Sequence, residues 1–325
     1  LTMPNYNGVW SLSTQYQYAT DWPSPPQIAL FMGGGVNDSS VPVQDVVQKI
    51  NITTAGNTTD FGNLSAAKSS GAGAASATRA LYGGGFTTNG GSNSLDVIEF
   101  FTIASAGNAT DFGDLSAARN SFDACSNSTR AVFGGGVASG SSTKLNIMEY
   151  VTIASAGDVT DFGDLTVARD LLAGNIASAT RGVFAGGESN SNVIDYITIG
   201  SAGDATDFGD LTVGRGSVAG LSSSVRGVIS GGDTNTRVNT IDYITIASTG
   251  NASDFGDLTV ATGDQAGVAG SNTGLFAGGL QASYPGTDTI EFVTIASAGN
   301  AADFGNLLSA RTVVRGASSA HGGLS

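Results

Sequence analysis

Few side chains in this chain are suited to chemistry, and those that recur do so at a fixed period. Histidine occurs once, at His321, and cysteine once, at Cys125. A lone imidazole cannot complete a Ser-His-Asp or Cys-His set. One thiol can form neither an internal disulfide nor a thiolate metal cluster. Cys125 reads as a small buried apolar residue, and His321, in Ala320-His-Gly-Gly, as an exposed tail residue. The conspicuous acids Asp60, Asp111, Asp161, Asp207, Asp254 and Asp303 each open an Asp-Phe-Gly triplet. Such a triplet can hold magnesium where a glycine-rich phosphate loop and a catalytic Asp loop accompany it, and the sequence has neither. Six copies at one repeat position point to structural work, the Asp accepting turn or backbone hydrogen bonds. Calcium would need several converging oxygens, and the second acid weakens to Asn63 and Asn306 in two copies. The sequence therefore predicts no catalytic residue, no metal site and no cofactor.

The elements around these triplets repeat with them. The glycine that opens Gly-Asn/Asp-x-x-Asp-Phe-Gly-x-Leu stands at 56, 107, 157, 203, 250 and 299, a period of about 50 residues. Each unit reads as four strands. A small-residue segment (172–179) precedes Arg181-Gly-Val-Phe-Ala-Gly-Gly, then a polar loop, then Val193-Ile-Asp-Tyr-Ile-Thr-Ile. The turn Gly200-Ser-Ala-Gly203 leads into Thr206-Asp-Phe-Gly-Asp-Leu. β-branched and aromatic residues fill consecutive positions, as in sheets packed on both faces. No segment has a 3.6-residue apolar period.

These units resemble the kelch repeat. The resemblance rests on the double glycines Gly34-Gly35, Gly84-Gly85, Gly135-Gly136, Gly186-Gly187, Gly231-Gly232 and Gly278-Gly279, and on a basic residue after the last strand. That residue is Arg119, Arg169, Arg215 or Arg311, becomes Lys68 in the first unit, and is lost as Thr262 in the fifth. The last-strand Trp of the family is replaced by Phe61, Phe112, Phe162, Phe208, Phe255 and Phe304. The resemblance implies an all-β, six-bladed kelch-like β-propeller over residues 28–325, preceded by an aromatic, Pro-containing attachment segment at 1–27. The first unit starts at Ile28 without an innermost strand, and an orphan strand follows the sixth, within 309–319. The ring is thus predicted to close by the C-terminal strand completing the first blade, leaving no exposed sheet edge. The acids Glu99, Glu149, Asp195, Asp242 and Glu291 recur on the third strand, with Gln48 in the first unit. They are expected to pair with the recurring Arg set. Sequons such as Asn57, Asn108 and Asn251 read as turn chemistry.

Only 12% of residues are charged and the net charge is -14. That balance argues against nucleic acid and anionic membrane as partners. No apolar run approaches the ~20 residues of a spanning helix, and no signal peptide is visible. The start at Leu1 suggests a processed chain or a piece of a longer one. The segment Asn7-Gly-Val-Trp…Trp-Pro23 resembles a stretch of tailed-phage virion proteins from marine and cyanobacterial hosts, and the Ala-Ser-Ala-Gly-Asp unit resembles kelch-like proteins of such phages. This implies a non-enzymatic, multi-copy virion component of tail-fibre type, contacting other virion proteins through Trp10, Tyr16, Tyr18 and Trp22, with a structural or receptor-binding role. A secreted bacterial lectin or adhesin propeller is the rival expectation. A polysaccharide-degrading enzyme is the third, disfavoured by the lack of a unique acid pair.

Variation locates the binding face. The loop after the double glycine differs in every unit, while the turn before the last strand is nearly constant. In a meander these lie on opposite faces, and recognition on rigid scaffolds belongs to the individual loops. Asn89, Lys144, Asn190, Asn192, Arg237, Gln281 and Tyr284 are the candidates for contacting a host-surface polysaccharide.

Overall fold

The computed structural model describes residues 26–35, 43–87, 93–282 and 286–324. Six four-stranded antiparallel sheets form a closed β-propeller. Blade 4 shows the plan: Ala173–Ala177 lies innermost, followed outward by Arg181–Ala185, Val193–Thr198 and Thr206–Asp210. The innermost strands of blades 2, 3, 5 and 6 are Ala72–Ala75, Asp123–Ser126, Ala219–Ser222 and Ala266–Ala269. Blade 1 takes its innermost strand from the other end of the chain. Arg315–Ser318 pairs antiparallel with Ile28–Met32, with Ala29 opposite Ser318 and Met32 opposite Arg315. The predicted closure is present.

Six blades fit round one axis because the innermost strands carry almost no side chain where they meet. A Cβ on Gly73, Gly174, Gly220 or Gly267 would overlap a backbone carbonyl of the adjacent blade's inner strand. The outer wall uses the same device. Gly62, Gly113, Gly163, Gly209, Gly256 and Gly305, the glycines of the Asp-Phe-Gly triplets, have φ between 133° and 154°. Each lies against the opening glycine of the next unit, so any side chain there would strike backbone. These contacts explain the glycine of the triplet.

The core is six wedges, one per junction between blades. Between blades 2 and 3, for example, Leu81, Ile98 and Phe112 pack with Phe122, Phe133 and Val151. The triplet phenylalanines are buried edge-on against third-strand rings, as in Tyr196–Phe208 at 6.0 Å.

Polar latches fix blade register. Lys68–Glu99 (2.5 Å), Arg119–Glu149 (2.9 Å), Arg169–Asp195 (2.9 Å) and Arg215–Asp242 (2.9 Å) are buried ion pairs, each crossing from one blade to the next. The expected pairing therefore holds at four of the six junctions. Burial draws the Arg119 guanidinium down to about 10, with Glu149 opposing. A second arginine set, unnoticed in the sequence, also spans junctions. Arg79, Arg130, Arg181 and Arg226 lie over third-strand rings and donate to Ile153, Ile199, Ile246 and Ile295 carbonyls of the following blade.

Three readings change. The triplet acids Asp60, Asp111, Asp161, Asp207, Asp254 and Asp303 are exposed on the outer strands. The side-chain acceptor of the repeat lies three residues earlier. Asn57, Asn108, Asp158, Asp204, Asn251 and Asn300 each accept an amide of the preceding blade at 3.0–3.1 Å, and Asn306 N to Asn57 Oδ1 closes the circuit. In blade 1 the double glycine with positive φ is Gly33-Gly34, one residue earlier than the sequence suggests, because Met32 ends the strand where Gly83 does in blade 2. Finally, His321 is not an exposed tail residue but 8% exposed. The 3-10 turn Gly322–Leu324 folds back over the axis. His321 Nε2 meets Ala75 O at 2.9 Å and Ser126 Oγ at 3.3 Å, and Nδ1 accepts Gly323 N. A Cβ on Gly322 would overlap the Ala177 and Ser223 carbonyls. The tail therefore plugs one mouth of the axis, and burial lowers the imidazole pKa.

Candidate functional site

The two faces of the ring differ in what they can do. The plugged face carries the constant turns. It also receives the N-terminal end of the first strand: Gln27 donates to Ser271 Oγ and accepts from Ser271 N, both at 2.9 Å. The opposite face carries the variable loops. Most of them fold back onto the segment entering their own blade. Val137–Ala138 pairs with Arg119–Asn120, Leu280–Gln281 with Thr262–Gly263, and single bridges join Ser69 to Phe86 and Gly216 to Asp233.

Blade 4 departs from this. Its loop, 188–192, is the shortest of the six, and among the described residues its only such bond is Glu188 N to Asp170 O. The short loop leaves a cleft of about 630 Å³ between blades 4, 5 and 6. Its lining is polar: Glu188, Ser189, Asn190, Asp233, Asn235 and Arg237 from the loops, with Leu171, Ser217 and Asp264 toward the axis. Six of these nine hold left-handed backbone: Leu171 (φ 53°), Ser189 (63°), Asn190 (58°), Ser217 (54°), Asn235 (85°) and Asp264 (57°). Such residues each cost about 1–3 kcal/mol and concentrate at ligand-contacting sites.

Three of these belong to a ring of six equivalent residues around the axis. Ser70, Ser121, Leu171, Ser217, Asp264 and Val313 all have φ of 53–57°. Ser121 N donates to Ser70 O, Leu171 N to Ser121 O, Ser217 N to Leu171 O, Asp264 N to Ser217 O and Val313 N to Asp264 O. This belt holds the cleft floor rigid. The charges in and beside the cleft are tied together. Arg237 bridges Asp233 (2.8 Å) and Asp264 (3.2 Å), while Lys144 bridges Glu188 (2.6 Å) and Asp170 (3.5 Å). Burial opposes the Lys144 charge, but Glu188 and Asp170 outweigh it and the ammonium pKa is raised. Asp170 is raised by burial and by Glu188, against the pull of Lys144.

Of the sequence candidates, Asn190 and Arg237 line the cleft, and Lys144 stands beside it, paired with Glu188. Asn192 is exposed at the foot of the same loop, where its carbonyl accepts Leu211 N. Gln281 sits apart on the short ribbon opposite Thr262. Asn89, Tyr284, Trp10, Tyr16, Tyr18 and Trp22 lie outside the described residues. Asp233, Asn235, Asp264 and Glu188 were missed. Their signal was present in the length of the blade 4 loop, which is what opens the cleft.

Among the described residues no group of three or more His, Cys, Asp or Glu side chains is placed to hold a metal ion, and no helix is long and apolar enough to cross a membrane. The chain matches no protein-family model, and no curated protein is significantly similar to it.

Proposed function

We propose that this protein is a non-enzymatic binding propeller of a phage particle, a multi-copy tail-associated component that recognises host-surface polysaccharide. The observation that carries the reading is the polarity of the ring. One face is uniform, plugged, and holds Gln27 at the start of the first strand; the other is individual and holds the polar cleft. Attachment through the uniform face leaves the cleft outward. The resemblance of residues 7–23 to tailed-phage virion segments supports the location.

The cleft's chemistry narrows the ligand. Glu188, Asp233 and Asp264 outnumber Arg237, so a neutral or amine-bearing saccharide is favoured over an acidic one. Each of these carboxylates is engaged by Lys144 or Arg237, which suits hydrogen-bonded recognition better than proton transfer. The test is binding to an array of bacterial surface polysaccharides. Asn190→Gly with Asn235→Gly keeps the left-handed backbone and removes two amides, at about 0.5–1.5 kcal/mol per hydrogen bond. Roughly tenfold weaker binding to neutral glycans is expected, with folding intact. Binding that the double variant leaves unchanged, or no binding by the wild type, contradicts the reading. Portal, tube or baseplate genes beside this one would favour a virion over a secreted adhesin.

A further inference from the structure

The buried ion-pair series fails at two junctions, in opposite senses. Between blades 6 and 1, Arg311 is present but the acid position holds Gln48. Arg311 is satisfied by the Gly33 and Val46 carbonyls at 3.1 and 2.9 Å. Between blades 5 and 6, the acid Glu291 is present and 3% exposed, but the cation position holds Thr262. Glu291 accepts from the amide and hydroxyl of Thr259, and the Thr262 hydroxyl is turned to the Val260 carbonyl.

The same junction has gained polar atoms where the others are apolar. Ser230 stands where the other blades have Met32, Gly83, Gly134, Ala185 and Ala277; Gln265 stands where they have Gly71, Phe122, Leu172, Val218 and Val314. Ser230 is 1% exposed and Gln265 4%. Ser230 Oγ and Gln265 Oε1 have no hydrogen-bond partner. The Gln265 stem and the Thr262 methyl lie side by side, both within 2.7 Å of where a Cβ on Gly279 would stand. The corresponding place on Gly232 is flanked by the Arg215 stem and Val218. The Thr262 methyl and the Gln265 stem therefore take the places of the Arg215 stem and of Val218. The carbonyl acceptors are also in place. Arg215 donates to Ile229 O and Gly231 O; Ile229 pairs with Asp242 as Phe276 pairs with Glu291, so Phe276 and Gly278 present the equivalent oxygens.

We propose that the junction between blades 5 and 6 binds a monovalent alkali cation, sodium or potassium, in the role the arginine plays elsewhere. The donor set is all oxygen, which suits hard cations. It contains one carboxylate, which a single positive charge balances and which is too little charge for a typical calcium cage. The cation holds the register of two blades and takes no part in ligand chemistry.

The test is thermal unfolding of the full chain in sodium or potassium chloride against N-methylglucamine chloride at equal ionic strength. Binding to the folded state alone raises Tm in a saturable way, here by roughly 2–4 °C. Glu291→Gln removes the carboxylate while keeping the side chain that blade 1 carries as Gln48, and Thr262→Arg restores the series; in both the alkali-specific rise should vanish. An equal Tm for the wild type in all three salts would overturn the proposal. So would a rise that both variants retain, since the cation would then bind elsewhere.

Discussion

Removing residues 312–325 tests closure of the ring. The deletion takes away Arg315–Ser318, which pairs with Ile28–Met32 over four residues. Its ladder is worth about 4 kcal/mol at ~1 kcal/mol per hydrogen bond. Val314 and Ala317, 0% and 2% exposed, contribute roughly another 2–4 kcal/mol of apolar burial. The sum, about 6–8 kcal/mol, is comparable with the 5–15 kcal/mol by which whole domains are stable. It omits the side walls of Ala72–Ala75 and Ala266–Ala269 that the loss would uncover. Urea unfolding followed by near-ultraviolet circular dichroism should show no cooperative transition in the truncated chain. A synthetic peptide of residues 312–325 added in excess should restore one. A truncated chain that unfolds with the wild-type midpoint and slope would refute the closure argument.

Two further outcomes follow from buried groups. Arg215→Met leaves Asp242, 0% exposed, without a cation and should cost about 3–5 kcal/mol by urea denaturation; Arg215→Met with Asp242→Leu should recover much of it, and a double variant no better than the single would break the pairing argument. His321 is held neutral in the folded chain, its pKa below the usual 6.5 because of burial. Above about pH 6.5 both states are neutral and the group contributes nothing; as the pH falls below that, the unfolded chain binds a proton the folded chain resists, so stability drops, at most about 1.4 kcal/mol per pH unit. Asp123 and Asp170, raised chiefly by burial, act oppositely, retaining protons when folded. The difference between wild type and His321→Gln isolates the imidazole: the wild type should lose midpoint between pH 7 and 5 faster than the variant, and parallel curves would contradict the tail's burial.

Much of this was legible in the sequence because a propeller repeats its solutions. Period, blade number, the donated C-terminal strand and the acid–base latches all appear as patterns at one position in successive units. What escaped was what occurs once, or what depends on close approach. His321 follows the last apolar strand and reads as tail; only the convergence of the inner strands at the axis shows that the tail has a mouth to fill. The repeat contains both Asn/Asp and Asp, and spacing alone does not say which reaches the neighbouring blade; the backbone contact of the triplet glycine decides it. In blade 1 a triple glycine hid the register of the pair. The cleft arises from a short loop, a deletion that draws less notice than a motif.

The claim that the variable face does the recognising is tested most directly by hydrogen–deuterium exchange of the full chain with and without its best-binding neutral polysaccharide. Exchange should slow at residues 188–192 and 233–238, with the constant turns at 104–108, 154–158 and 201–204 unchanged. Protection confined to those turns, at a concentration that saturates binding, would place recognition on the other face and contradict it.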